Sequence, residues 1–163
     1  MSLPTPEMLA CSDAITQMLD QLEALPARKR LPDSAVEHVL SMACNLMRQG
    51  KTEKAWGYFR VLTMYRPSDP RILAGFAVCC QELGRLEEAI QYYATAAHVK
   101  PGKPEYLLAI AECELLQKDY AQARQSLNIV IRFCQDHDVA GKTRLRAESM
   151  LSLIDKGERS ASD

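Results

Sequence analysis

A pattern of large and small residues recurs every 34 positions through the middle of this 163-residue chain, and a period of that length leaves few folds open to it. Residues 36–69, 70–103 and 104–137 fall into one register. The first unit carries Val39, Met42, Ala43 and Leu46, then Ala55 and Phe59, then Pro67. The second carries Leu73, Phe76, Ala77 and Cys80, then Ala89 and Tyr93, then Pro101. The third carries Leu107, Ile110, Ala111 and Glu114, then Ala123 and Leu127, with Gln135 where the proline would stand. Steps of three and four between the apolar positions mean helices. The small residues mean two helices per unit packed closely.

This is the tetratricopeptide spacing: large, large and small, then alanine and an aromatic one turn on, then proline. Ala43, Ala77 and Ala111 let the first helix of each unit approach the second, and Ala55, Ala89 and Ala123 do the same from the other side. Phe59, Tyr93 and Leu127 fill the gap between hairpins. Gly50 and Gly84 fall where the first helix must stop and suit a left-handed C-terminal residue. The third unit has Lys118 there, which predicts a looser turn. Pro67 and Pro101 help end the second helices, and Asp69-Pro70 and Lys103-Pro104 open the next units with proline at the first helical position. Ser34 and Glu37 have capping-box spacing at the start of the array.

The expected fold is therefore all-α: three tetratricopeptide (TPR) helical hairpins in a right-handed superhelix, flanked by an N-terminal helix and a C-terminal capping helix. Residues 1–34 are read as an N-terminal amphipathic helix and linker, 35–137 as the three repeats, 138–156 as the capping helix and 157–163 as a disordered tail. In the N-terminal helix, over 6–25, Met8, Cys11, Ile15, Met18, Leu22 and Leu25 form a three-heptad seam. That seam suits packing back on the first repeat or a homodimer contact, and the sequence leaves both open. In the last helix Ala147, Met150, Leu151 and Ile154 share one face, as a cap on a repeat array requires.

Composition excludes several classes. The net charge is −1 and 47% of residues are hydrophobic, so neither disorder nor nucleic-acid binding is indicated. The one basic run, Arg28-Lys29-Arg30, lies in a proline-flanked linker and reads as solvated. Six cysteines form no C-x2-C pair, and Cys44, Cys80 and Cys113 fall on apolar helix faces where a thiol packs as a small hydrophobe. With His38, His98 and His137 they make no ligand spacing, so no metal is expected. There is no phosphate loop, nucleophile elbow or H-E-x-x-H, and His137-Asp138 reads as a helix-end pair, so no catalytic residue, cofactor or enzymatic activity is expected. The start MSLPTPEMLA is not a signal peptide, no stretch is apolar enough to span a membrane, and reduced thiols fit a cytosolic setting.

Function then falls to the concave face, which the first helix of each repeat lines through its second, fifth, ninth and twelfth positions. The candidate client groove is Leu40, Cys44, Met47, Ala74, Val78, Leu108, Glu112 and Leu115, framed by Glu37, Arg71, Gln81 and Glu105. An apolar groove suits an extended apolar peptide, unless the N-terminal helix covers it. Repeat domains that clamp acidic C-termini need lysine, asparagine and arginine there. This chain has Leu40, Cys44, Gly75, Glu105 and Ala109, so that clamp is absent.

The segments Tyr58–Gln81, Ala89–Leu115 and Ile129–Leu151 resemble the class II chaperones of bacterial type III secretion. The resemblance spans roughly residues 35–155. It implies a cytoplasmic bacterial protein that binds hydrophobic, pore-forming translocator proteins through its concave groove and keeps them soluble for export without ATP. A needle-subunit chaperone of the same apparatus and a general protein-interaction scaffold are the alternatives.

Overall fold

Asp69 fixes where the second repeat begins. Its carboxylate accepts from the Arg71 backbone N–H at 2.9 Å, and Pro70 takes the first helical position, where its missing N–H costs nothing. Burial works to raise the Asp69 carboxyl, yet hydrogen bonds from the Arg71 side chain and backbone, with the guanidinium charge, hold it below the usual carboxylate range. The computed structural model describes residues 32–137 and 141–160. These form seven helices: α1 (Asp33–Arg48), α2 (Thr52–Tyr65), α3 (Pro70–Glu82), α4 (Leu86–Val99), α5 (Pro104–Leu116), α6 (Tyr120–His137) and α7 (Gly141–Ser160). The N-terminal seam Met8, Cys11, Ile15, Met18, Leu22 and Leu25, the run Arg28–Arg30 and Asp138 lie outside the described residues.

The hairpins are α1–α2, α3–α4 and α5–α6. Each helix packs on its sequence neighbours, and in addition α1 touches α3 and α5 touches α7. The register reads as expected: Ala43, Ala77, Ala55, Ala89, Ala111 and Ala123 are fully buried, and so are Phe59 and Leu127. Each lets two helix backbones approach without leaving a void. The buried residues fall into two clusters. One lies under α1–α4 and includes Cys113; the other gathers Leu108, Ala111, Ala123, Leu127, Val130 and Cys134 with Ala147 and Ile154 of α7.

Three local expectations need correction. The turn at Lys118 is not looser. Lys118 takes φ 63°, beside +70° at Gly50 and +75° at Gly84. Its N–H donates to the Leu115 carbonyl at 2.9 Å and Asp119 donates to Glu114 at 3.0 Å. The same pair of bonds closes the Gly84 turn, from Gly84 to Gln81 at 3.1 Å and from Arg85 to Cys80 at 2.8 Å. Those two bonds demand a left-handed residue whatever side chain sits there. The Ser34 capping box does not form, because α1 starts two residues earlier, behind Pro32, with no side-chain cap. Asp33 instead pairs with Arg66 at 2.5 Å and Glu37 with Arg71 at 2.7 Å. Finally, α7 runs on to Ser160 rather than giving way to a tail after 156. No proline stops it, and Lys, Glu and Arg after position 155 are good helix formers.

Candidate functional site

The contacts α1–α3 and α5–α7 define one side of the array, where the first helix of a repeat meets the first helix of the next. Helical periodicity puts Leu40, Cys44 and Met47 on a single stripe of α1 and Ala74 and Val78 on the matching stripe of α3. Leu40 is buried, while Cys44, Met47, Ala74 and Val78 are half-buried. Leu40, Cys44, Met47 and Val78 also belong to the first core cluster, so each rests on packed neighbours and keeps part of its surface in water. At the near end the Arg71 guanidinium bridges Glu37 on α1 and Asp69, both at 2.7 Å. Those hydrogen bonds hold Arg71 firmly charged. A charged rim thus stands beside an apolar stripe.

The third-repeat residues are placed differently. Leu108 is only 6% exposed and packs in the second cluster with α7, and Leu115 leans on the same cluster. Glu112 pairs with Arg146 of α7 at 2.9 Å. Burial pushes the Glu112 carboxyl up, and the Arg146 charge opposes this. A shallow recess of about 310 Å³ remains between the two helices, lined by Glu105, Leu108, Ala109 and Glu112 from α5 and Lys142, Thr143 and Arg146 from α7. Two of the eight groove residues read from the sequence, Leu108 and Glu112, therefore lie beside α7, whereas Leu115 is half-buried like Cys44, Met47, Ala74 and Val78. Sequence reasoning missed Lys142, Thr143 and Arg146. The signal was available, because α7 follows α6 as another first-type helix, and such a helix packs along the inner side of its predecessor.

The thiols are packed groups. Cys79, Cys80, Cys113 and Cys134 are buried, and Cys44 is half-buried and free. Burial pushes Cys79 up to about 12 and Cys113 up to about 11, which keeps both protonated at neutral pH. His137 stacks on Phe133 with ring centroids 4.3 Å apart, and its Nδ1 lies 3.0 Å from the Phe133 carbonyl oxygen, one turn back on α6. That arrangement ties the ring to its own helix. Among the described residues no three His, Cys, Asp or Glu side chains are placed to hold a metal ion, and no helix is long and apolar enough to cross a membrane.

Comparison with known proteins agrees with this fold. The family model described as Psidin, N-terminal TPR repeats region, matches residues 16–130. Among curated relatives, the chaperone protein SicA of Salmonella typhimurium is 24% identical over 120 residues, 74% of this chain and 73% of SicA. Among solved structures, the type III secretion translocator chaperone SycD of Yersinia enterocolitica superposes with a TM-score of 0.72 at 25% identity, covering 82% of this chain and 92% of that one. PcrH of Pseudomonas aeruginosa, in complex with the chaperone-binding region of PopD, superposes with a TM-score of 0.73 at 25% identity, covering 80% and 98%.

Proposed function

The chain belongs to the family described as Psidin, N-terminal TPR repeats region, and on that footing we propose that it is a cytoplasmic bacterial chaperone of a type III secretion system, one that holds a hydrophobic translocator soluble until export. One observation carries this reading. A half-buried apolar stripe on α1 and α3 sits in a fold that PcrH, solved with the chaperone-binding region of PopD, shares over 98% of its length.

The mechanism is binding alone and calls on no cofactor or metal. An extended client segment lays small apolar side chains along Cys44, Met47, Ala74 and Val78, over the floor made by Leu40. Each Å² of apolar surface removed from water contributes about 25 cal/mol. Half-buried residues supply that area cheaply, because their packing against the core already fixes their rotamers. The ion pairs Glu37–Arg71 and Glu112–Arg146 stay partly solvated at either end, so the loaded complex remains soluble. Mass action does the rest: client held in the groove is withdrawn from the pool that aggregates.

The test is co-expression with a translocator of the same secretion system, in a host without the apparatus. The expected result is translocator in the soluble fraction, co-purifying with this chain. Translocator left in the pellet beside a well-folded, soluble partner would reject the proposal. So would solubilisation of a needle subunit in its place.

A further inference from the structure

Two departures from the repeat pattern fall in the same repeat and touch each other. At the aromatic position of the second helix, the first and third repeats carry Phe59 and Leu127, neither with a polar atom on its side chain, while the second carries Tyr93. At the last groove-facing position of the first helix, Met47 and Leu115 stand on either side of Gln81 in the repeat order. The Tyr93 side chain is only 4% exposed, and its O–H donates to Gln81 Oε1 at 2.9 Å. Burial pushes the hydroxyl above its ordinary range, so it keeps its proton at neutral pH. Packing alone does not call for this pair, because Phe59 and Met47 fill the same two positions of the first repeat with apolar groups of the first core cluster. The bond engages one end of the Gln81 amide. The Nε2 hydrogens at the other end meet no acceptor among the described residues, and Gln81 is half-buried on the stripe of α3 that also carries Ala74 and Val78.

We propose that Gln81 is the donor with which the groove reads main chain: its Nε2 donates to a backbone carbonyl of an extended client, and Tyr93 is the positioning residue that holds the amide in that orientation. The inference rests on the client reading above and adds a source of specificity to it. The stripe itself creates the need. A segment laid along Met47, Ala74 and Val78 loses water from its carbonyls as well as from its apolar side chains, and those three side chains offer no donor in return. The Gln81 amide supplies one at the end of the stripe. The buried O–H fixes its rotamer before the client arrives, so little freedom is lost on binding. A helical segment has its interior carbonyls committed to its own backbone bonds and has none to offer. Gln81 therefore favours an extended segment over an amphipathic helix whose apolar face would fit the same stripe.

The probe is a fluorescent synthetic peptide covering the translocator segment that the full-length chain shields from protease, and its binding is followed by anisotropy. Gln81→Met keeps the side-chain length and loses both donors. Gln81→Glu loses them too but keeps an acceptor for Tyr93. Both should weaken binding by about fivefold or more, while the helical signal and melting temperature stay near those of the parent. Tyr93→Phe should weaken it less. Added to Gln81→Met it should cost nothing further, as a residue acting only through Gln81 requires. Peptides in which one amide at a time is replaced by an ester, a weaker carbonyl acceptor, read the main-chain contact directly. One such ester should weaken binding to the parent by about threefold and cost nothing with Gln81→Met. A folded Gln81 variant of either kind that binds as tightly as the parent would overturn the inference. So would esters that cost the same in the parent and in Gln81→Met at every position. A parent that shields and binds no segment would overturn the client reading together with this one.

Discussion

The Phe59 ring of α2 fills the space that a side chain at position 75 of α3 would need. A Cβ built on Gly75 would lie 2.3 Å from Cε1 and 2.4 Å from Cζ of that ring. Phe59 is fully buried, with core on every side, so it has nowhere to retreat. Two effects oppose each other in Gly75→Ala. Helix propensity favours alanine by about 0.5–1 kcal/mol, and overpacking costs about 1–3 kcal/mol. The clash should win, and urea unfolding should show a net loss of about 1–2 kcal/mol. A more stable variant would mean that the α2–α3 contact yields easily.

Lys118 gives a prediction of the opposite sign. A non-glycine residue in the left-handed region costs about 1–2 kcal/mol, and Lys118 is exposed, so its side chain offers little in return. Lys118→Gly should raise stability by about 0.5–1 kcal/mol once the greater entropy of glycine in the unfolded chain is counted. Gly84→Ala, in the equivalent turn, should lower it by about 1 kcal/mol. Thermal melts of the two variants should therefore move in opposite directions.

Val78→Glu tests the groove. A carboxylate there must lose its water whenever a client docks, at a cost of several kcal/mol. Free, the variant can turn its new side chain to solvent, because Val78 is half-buried. Pull-down of a translocator should fall at least tenfold while the helical signal and melting temperature stay near those of the parent. Glu88 makes a poor control, since it pairs with Arg85 at 2.6 Å. Gln91→Lys, on the exposed side of α4, should leave binding unchanged.

Glu114 gives a pH dependence. It stands where the earlier repeats carry Leu46 and Cys80, and its Oε2 is buried without a hydrogen-bond partner. Burial pushes its carboxyl above the ordinary 4.5, with Ser126 opposing through a hydrogen bond and Asp119 adding repulsion. A raised carboxyl binds its proton more tightly folded than unfolded. Stability therefore falls as pH rises from 4.5 through the folded value, and it stays reduced above that. Glu114→Gln should be more stable than the parent at pH 7, and its advantage should vanish below the ordinary carboxylate range. Denaturation curves at the two pH values decide it.

What the sequence made legible was whatever depends on local spacing. The alanines at 34-residue steps, the Pro70 and Pro104 helix starts and the left-handed glycines all act within a few residues of themselves, so one strand of letters carries them. What it hid depends on a partner distant in the chain. Gly75 looks like a weak helix residue until Phe59 is seen against it. Glu37 looks like half of a capping box until Arg71, thirty-four positions on, claims its carboxylate. Leu108 and Glu112 have the spacing of an open lining, and the neighbouring helix α7 is what changes their surroundings. The Lys118 turn failed for another reason: backbone hydrogen bonds set its geometry, and they override the preference of the side chain.

The two core clusters meet in α5, which has a foot in each. Cys113, Tyr106, Ala109 and Ile110 face the first, and Leu108, Ala111, Leu107 and Leu115 face the second. One thirteen-residue rod is thus the party wall between two rooms, and each room is furnished mainly from its own side. A change of side chain almost anywhere along it is felt on one side of the wall or the other, so the two rooms share their fate through a single tenant.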